Sequence, residues 1–402
     1  MLKPQITETR DMQPLDGFWS FSLDGKTYDR EVAVPASVND LFADSAVRDH
    51  VGTYYYRSQV FVPRSYTQRV SLRFASVTHH ATVFVDGIKV GYHKGGYLPF
   101  EIDITERVTP GAPFELRVEV DNRLDMTCIP PGEVIELPDG HLRQEYMHDF
   151  YNYSGIHRTP YLVSTPVRRV EDVTIVAGMD GVCHYEVIQT QPGDVRVTVA
   201  EANAGVVHAG GEGKTSTDGE GKTIAGEVSV DKPTLWTPGK GGLYTLLIEL
   251  VDDNDHVVDT YRQPFGFRSV EVKGHEFLIN GEPFYFTGFG MHEDHETLGK
   301  GHNDASVQRD MELLTWVGGN SLRTSHYLYS EEWMDYCDRH GIVVIDETPA
   351  VGLNMAVAGG ILDSAVKKTY GSDTVNEKTQ AHHADTIRDL IQRDKNRPSV
   401  VL

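Results

Sequence analysis

Cysteine is scarce. The 402-residue chain has three, Cys128, Cys183 and Cys337, an odd number set far apart. No CxxC pair occurs, so neither a zinc site nor a disulfide framework is indicated; reduced, structural thiols in a cytosolic, and so cytoplasmic, protein are expected. No apolar run approaches the roughly 18 residues needed to span a bilayer, and residues 1–11, MLKPQITETRD, lack the apolar stretch of a secretory leader. Positive charge is in deficit: 37 Lys and Arg against 59 Asp and Glu leave a formal net charge of −22. That balance argues against nucleic acid or an anionic membrane as a partner, although acidity can also serve solubility alone. A hydrophobic content of 39% and a charged content of 24% are those of a soluble globular chain, long enough for two or three domains.

Three regions follow. Residues 1–165 read as an all-β domain of the sandwich or jelly-roll kind. Alternating segments recur at 54–62, 70–74, 81–85 and 114–120, and Asp86-Gly87 between VFV and IKV is a two-residue hairpin signal. Trp19 and Phe21 are expected in its core. Residues 166–267 remain strand-like and fit an immunoglobulin-like sandwich, with the Gly-rich tract 208–223 as a hairpin or loop at one end. From 268 to 402 strands alternate with helices. Asn280-Gly281 marks a hairpin. A helix over 304–317 carries Val307, Met311 and Leu314 on one face. Ser330 can cap the next helix and Gly341 can end it. A third helix is expected to bury Ile387, Leu390 and Ile391, with Pro398 beyond its end. About 130 residues follow Lys273, whereas a closed β/α barrel takes roughly 250. A partial TIM barrel, in a fragment or truncated chain, is the expectation.

The most informative stretch is 320–345. There a short strand ends in Arg323-Thr324-Ser325-His326, and a fully apolar strand, 342–345, leads into Asp346-Glu347. Polar side chains at the C-terminal ends of successive parallel strands are where barrel enzymes build active sites. His326 is open to two readings, substrate contact or backbone-paired structural residue. Arg323 suits a brace for carboxylates. Asp346 and Glu347 invite comparison with the two carboxyls of glycoside hydrolysis, but neighbours on an extended strand point to opposite faces, which favours supporting roles. His292-Glu293-Asp294-His295-Glu296 has its histidines three apart among glycines, unlike the helical four-residue spacing of a zinc site, so a polar loop without metal is expected. His382-His383, on a helix, suits a solvated or packing pair. Asp149, within HDFYNYSGIHR at 148–158, lies among aromatics that suit either sugar binding or a domain-interface loop.

Taken together, several motifs resemble family 2 of the glycoside hydrolases, and within it the glucuronide-cleaving branch. They are LDGFWSFSLD (15–24), HDFYNYSGIHR (148–158), FGFR (265–268), FTGFGMHED (286–294), NSLRTSHY (320–327), GIVVIDET (341–348) and RDKNRPSVV (393–401). Leu328 stands where the family has proline and Met291 where arginine is common. The first change is expected to loosen a turn, the second to remove a charge near the site entrance. The resemblance implies a jelly-roll sugar-binding domain, an immunoglobulin-like sandwich and a (β/α)8 barrel. It implies retaining hydrolysis of small β-D-glucuronide conjugates without metal or cofactor, and a homo-oligomer, a tetramer by analogy. By position, Asp149 and His326 would bind sugar, with Arg323, Asp346 and Glu347 in support. Residues 354–372 would form a loop over the site. The acid/base Glu, in a WSxxNE element, the nucleophilic Glu and the carboxylate-binding Asn-x-Lys element would all lie beyond Leu402. No catalytic residue is therefore assigned among these 402, and the chain alone is expected to be inactive. Another family 2 activity (β-galactosidase or β-mannosidase) and a non-catalytic carbohydrate-binding scaffold remain as alternatives.

Overall fold

The computed structural model describes residues 1–201, 207–208, 216–217, 221–349, 372 and 375–402. The core of the first domain is built from two antiparallel sheets. Six strands run in the order Arg30–Val34, Gly17–Ser22, Thr53–Phe61, Pro113–Asp121, His80–Val85 and Ile88–Lys94. Four run Asp11–Pro14, Tyr161–Thr165, Arg69–Phe74 and Phe100–Asp103. Period-two alternation drives the arrangement: Phe114, Leu116, Val118 and Val120 of one strand all point inward, into a core shared with Trp19 and Phe21. The Asp86-Gly87 turn has φ of 47° and 76°, the doubly positive geometry that a twisted two-residue hairpin demands.

The second domain is a sandwich of two antiparallel sheets. One holds Val170–Ala177, Val182–Gln189, Thr223–Ser229 and Ser216–Thr217; the other holds Val207–His208, Asp194–Glu201, Tyr244–Val251 and Val257–Phe265. Val187, Val199, Leu246, Ile248 and Phe267 form its dry interior. Most of the Gly-rich tract 208–223 lies outside the described residues.

The third region opens with a hairpin, Glu276–Ile279 to Glu282–Pro283, turning at Asn280-Gly281. Parallel strands and helices then alternate: β1 (Gly288–Gly290), α1 (Asp304–Trp316), β2 (Ser321–Arg323), α2 (Glu331–His340), β3 (Val343–Ile345) and α3 (Glu377–Asp394). A parallel bridge between Val344 and Val400 begins a fourth strand. Val307, Met311 and Leu314 of α1 pack with Leu322 and Val344 as their spacing requires. The hydroxyl of Ser330 caps α2 by accepting from the Trp333 amide at 3.3 Å. Gly341 ends that helix with φ 70°, and a Cβ there would lie 2.5 Å from the Thr237 carbonyl of the second domain, so glycine is required twice over. No helix among the described residues is long and apolar enough to cross a membrane.

One expectation fails. Ile387 and Ile391 of α3 are 39% and 53% exposed. The helix docks instead through polar groups near its C-terminal end. Arg393 donates to the Tyr329 carbonyl at 2.7 Å and Lys395 to Asp172 at 2.6 Å. Asn396 accepts from the Ile175 amide and donates to the Val173 carbonyl, both at 2.8 Å, like an extra strand residue. Period alone marked an apolar stripe, but the buried partners came from the polar residues beside it.

Buried ion pairs join the three regions. Arg10 grips Asp259 with its Nε and Nη2, and the fully buried Asp259 carboxylate also accepts from the Val170 amide at 2.8 Å. Arg73 of the jelly roll meets Glu331 at the start of α2 at 2.8 Å. Removing one partner of such a pair strands a charge in low dielectric. Arg10→Ala should therefore lower unfolding free energy by about 3–5 kcal/mol in urea titration; a loss below about 1 kcal/mol would place the pair with weak surface bridges.

Candidate active site

The site forms where the loops after β1, β2 and β3 meet a loop of the jelly roll. A short three-stranded sheet, Ala36–Ser37, Gly155–Ile156 and Val77–Thr78, anchors that jelly-roll loop at its C-terminal side. Within it the side chains diverge in a regular way. His148 is fully buried between the rings of Tyr146 and Phe150, with centroids 4.7 and 4.2 Å away. Asn152 Oδ1 is 2.6 Å from His79 Nε2. Asp149 between them is 53% exposed and turns to the barrel, where its Oδ1 lies 3.3 Å from His326 Nε2.

His326 stands between two carboxylates. Its other nitrogen, Nδ1, is 3.0 Å from Glu347 Oε2, and the ring keeps only 18% exposure. The same Glu347 oxygen is 3.4 Å from Arg323 Nε, which also donates to Ser325 Oγ at 3.1 Å. Asp149, His326, Glu347 and Arg323 thus form one continuous polar line across the domain seam.

Asp346 leaves in the opposite direction, as alternation along a strand requires. Its Oδ1 accepts from Thr324 Oγ1 and from the Glu347 amide, both at 3.0 Å. Burial, and then the nearby Asp394 carboxylate, push its pKa up to about 7 against the opposing pull of Arg393. As an anion its Oδ2 would have no donor; a proton there supplies one toward Asp394. A neutral carboxylic acid is the form this surrounding favours.

The loop after β1 supplies a residue that the motif reading left in a generic polar loop. The ring of His292 is centred 5.8 Å from that of His326 and 5.8 Å from Phe150, and burial followed by the charge of Lys300 lowers its pKa. Its Nδ1 is buried without a hydrogen-bond partner. Glu293 turns away, paired with Arg158 at 3.1 Å and accepting from the Ser330 amide at 2.7 Å. His295 is engaged through its backbone with Gly299. Among the described residues, no three His, Cys, Asp or Glu side chains are grouped to hold a metal ion.

Leu328 is fully buried and its carbonyl accepts from Arg158 at 2.6 Å, so the turn expected to loosen without proline is tied to the jelly roll. Met291 packs against the Tyr327–Trp333 cluster, and its carbonyl accepts from the Tyr329 hydroxyl. His382 sits near His93 and Lys94 of the jelly roll, and His383 Nε2 is 3.4 Å from Thr348 Oγ1. Residues 354–372 lie, but for Ser372, outside the described residues. Two cavities, of about 440 and 480 Å³, flank residues 1–5 and include neither Asp149 nor His326.

The chain thus joins a jelly roll, an immunoglobulin-like sandwich and the first strands and helices of a β/α barrel, with the strand ends facing a jelly-roll loop. Residues 20–166 match the family described as glycosyl hydrolases family 2, sugar binding domain, residues 176–268 match glycosyl hydrolases family 2, and residues 270–402 match its TIM barrel domain. The chain belongs to glycosyl hydrolase family 2. It is similar to the β-glucuronidase of Paenibacillus borealis, 42% identical over all of this chain and 68% of that protein. It is also similar to that of Mus musculus, 33% identical over all of this chain and 64% of that protein. Among solved structures, the β-D-glucuronidase of Dictyoglomus thermophilum superposes with a TM-score of 0.89 at 38% identity, over all of this chain and 67% of that one. A Ruminococcus gnavus β-glucuronidase in complex with N1-substituted uronic isofagomine gives 0.85 at 33%, over all of this chain and 68% of that one. The chain spans about two thirds of the length of these relatives.

The raised pKa of Asp346 has a stability signature. The folded state holds this proton more tightly than the unfolded chain does, so the contribution is full below about pH 4 and is lost as pH rises through about 7. Wild type should lose up to about 1.4 kcal/mol per pH unit across that window from this group. Asp346→Asn, always neutral, should lack that component. Urea midpoints at pH 5 to 8 should therefore diverge in favour of the variant, and parallel curves would show that Asp346 is ionised throughout.

Proposed function

We infer that the protein is a retaining β-glucuronidase, and that these 402 residues supply one side of its sugar pocket. The observation that carries the reading is the meeting of Asp149 and His326 at 3.3 Å across the seam, in a chain 42% identical to a β-glucuronidase. A half-exposed carboxylate beside a histidine can accept and donate hydrogen bonds to vicinal sugar hydroxyls. Phe150, adjacent in sequence, is buried behind them and keeps the loop from yielding. Arg323 orients Glu347, and Glu347 orients the His326 ring, so these two act on substrate through His326.

Retaining hydrolysis requires two carboxyls about 5–5.5 Å apart on either side of the glycosidic bond. Asp346 and Glu347 diverge, one toward Thr324 and Asp394 and one onto His326, which supports roles other than that pair for both. In this reading the acid/base and nucleophilic carboxylates come from further barrel strands, and the glucuronate carboxylate is recognised there too. Small β-glucuronide conjugates are the substrates. The three buried, unpaired cysteines agree with a reducing, cytoplasmic setting, and a homo-oligomeric state is part of the same reading.

The test is turnover of p-nitrophenyl β-D-glucuronide. The 402-residue chain should show none, and a polypeptide carrying the whole barrel should be active. There, Asp149→Ala and His326→Ala should each lower kcat/KM by about 10- to 100-fold, the worth of one charged hydrogen bond. Turnover by the 402-residue chain would overturn the placement of the catalytic pair. A whole-barrel protein that prefers a β-galactoside or β-mannoside would overturn the substrate. Unchanged kinetics in both variants would remove Asp149 and His326 from the pocket.

A further inference from the structure

Lys300 is one of the most deeply buried cations of the chain, 3% exposed, and no sequence pattern marked it. It lies in the loop after β1, and its surroundings come from three separate segments. Its Nζ donates to Asp294 Oδ1 and to Tyr327 Oη, both at 2.6 Å. It also stands over the ring of Tyr327 at 4.1 Å, of Phe150 at 5.1 Å and of Tyr153 at 5.7 Å. Phe150 directly follows Asp149, and Tyr327 directly follows His326. One ammonium therefore holds the sequence neighbours of both members of the cross-domain pair.

The backbone is committed to the same contact. The Lys300 amide donates to Ser37 Oγ at 2.9 Å. A Cβ at Gly299 would lie 2.6 Å from Ser37 and 2.7 Å from the Tyr153 ring, and one at Gly301 would lie 2.8 Å from Ala36 Cα. The loop is thus pressed against the jelly roll with no room for side chains on either side of the lysine. An apolar residue of similar length would fill the same aromatic box without the desolvation cost of an ammonium. What it could not do is attract the Phe150 and Tyr153 rings and at the same time fix the Tyr327 hydroxyl. That hydroxyl also accepts from the Glu293 amide at 2.9 Å, next to the pair that Glu293 makes with Arg158.

We propose that Lys300 is a positioning residue that sets the Asp149–His326 contact by clamping Phe150 and Tyr327 together. The glycosidase reading enters only in naming that pair as sugar contacts. The readout below needs no turnover, so a failure of either conclusion leaves the other to be judged separately.

The test uses the 402-residue chain labelled with ¹⁵N-histidine, its His326 ring signals assigned by their loss in His326→Gln. His326 faces Asp149, Glu347 and His292, and the measurement isolates the first of these by double substitution. With Lys300 intact, Asp149→Asn should lower the His326 titration midpoint by about half a pH unit or more, because an opposite charge within reach is removed. On Lys300→Met and Lys300→Gln backgrounds the same substitution should move the midpoint by less than about a third of that, the loss expected when the two groups separate. A full-sized shift on either folded background overturns the proposal, as does no effect of Asp149→Asn with Lys300 present. Loss of the cooperative melting transition in both lysine variants would also overturn it, making Lys300 a residue of fold stability and not of positioning.

Discussion

The buried contact between Arg158 and Glu293 is the constraint on which the site rests. Both side chains are nearly inaccessible, and each spends its remaining capacity on backbone from another segment. Arg158 reaches the Leu328 and Ala75 carbonyls. Glu293 accepts the amide of Ser330, the residue that caps α2. The jelly roll, the loop after β1 and the loop after β2 are therefore tied at a single point. Desolvation makes such a pair weak evidence of net stability. Its consequence is geometric: few other relative placements of the two domains satisfy both charges, so the register of the seam is specified. Asp149 and His326 lie on opposite sides of that seam.

Local chemistry was legible in the sequence. Asp86-Gly87 and Asn280-Gly281 turn where their left-handed conformations are needed, and Ser330 and Gly341 bound α2 as cap and stop. These features depend on neighbours a few residues apart. Phe114 to Val120 and Val307 to Leu314 were legible for the same reason, since period reports which face is buried. Ile387 and Ile391 mark the limit, because period cannot say what lies opposite, and α3 is held by Arg393, Lys395 and Asn396. The site was legible only at its strand ends. Arg323, His326 and Glu347 follow from the barrel rule, whereas His292 and Lys300 acquire meaning only when residues 36, 150 and 327 are brought beside them. Within the HEDHE run Glu293 pairs with Arg158 and Asp294 with Lys300, while the ring of His292 lies beside that of His326.

The two neighbouring carboxyls after β3 show how one strand end can serve two chemistries. Asp346 turns toward Thr324 and Asp394, and burial and then the Asp394 charge raise its pKa. Glu347 lies on the cleft side and is held by Arg323 and His326. Peptide alternation alone separates them, and each then meets a different set of partners. This divergence argues against the pair flanking one glycosidic bond, which takes two carboxyls set about 5–5.5 Å apart in a retaining enzyme. Glu347 in turn lies against His326 at 3.0 Å and Arg323 at 3.4 Å, and its amide donates to Thr324 Oγ1 at 2.8 Å.

A sugar presents several hydroxyls in fixed directions, so its recognition needs acceptors and donors that are rigid yet not saturated by one another. A single-domain loop meets the second condition easily and the first poorly. Here rigidity comes from behind: His148 and Phe150 are buried on either side of Asp149, and Tyr327 is buried beside His326. The polar tips project from this aromatic layer, with Asp149 retaining half its exposure and one oxygen beyond the His326 contact. Aromatic packing supplies the stiffness, and in the glucuronidase reading the carboxylate and imidazole would supply the recognition. Drawing the two halves from different domains lets the stiff layer be thick without burying the groups it supports. That physical division explains why an aromatic-rich motif of the first domain is pressed against the strand ends of the third.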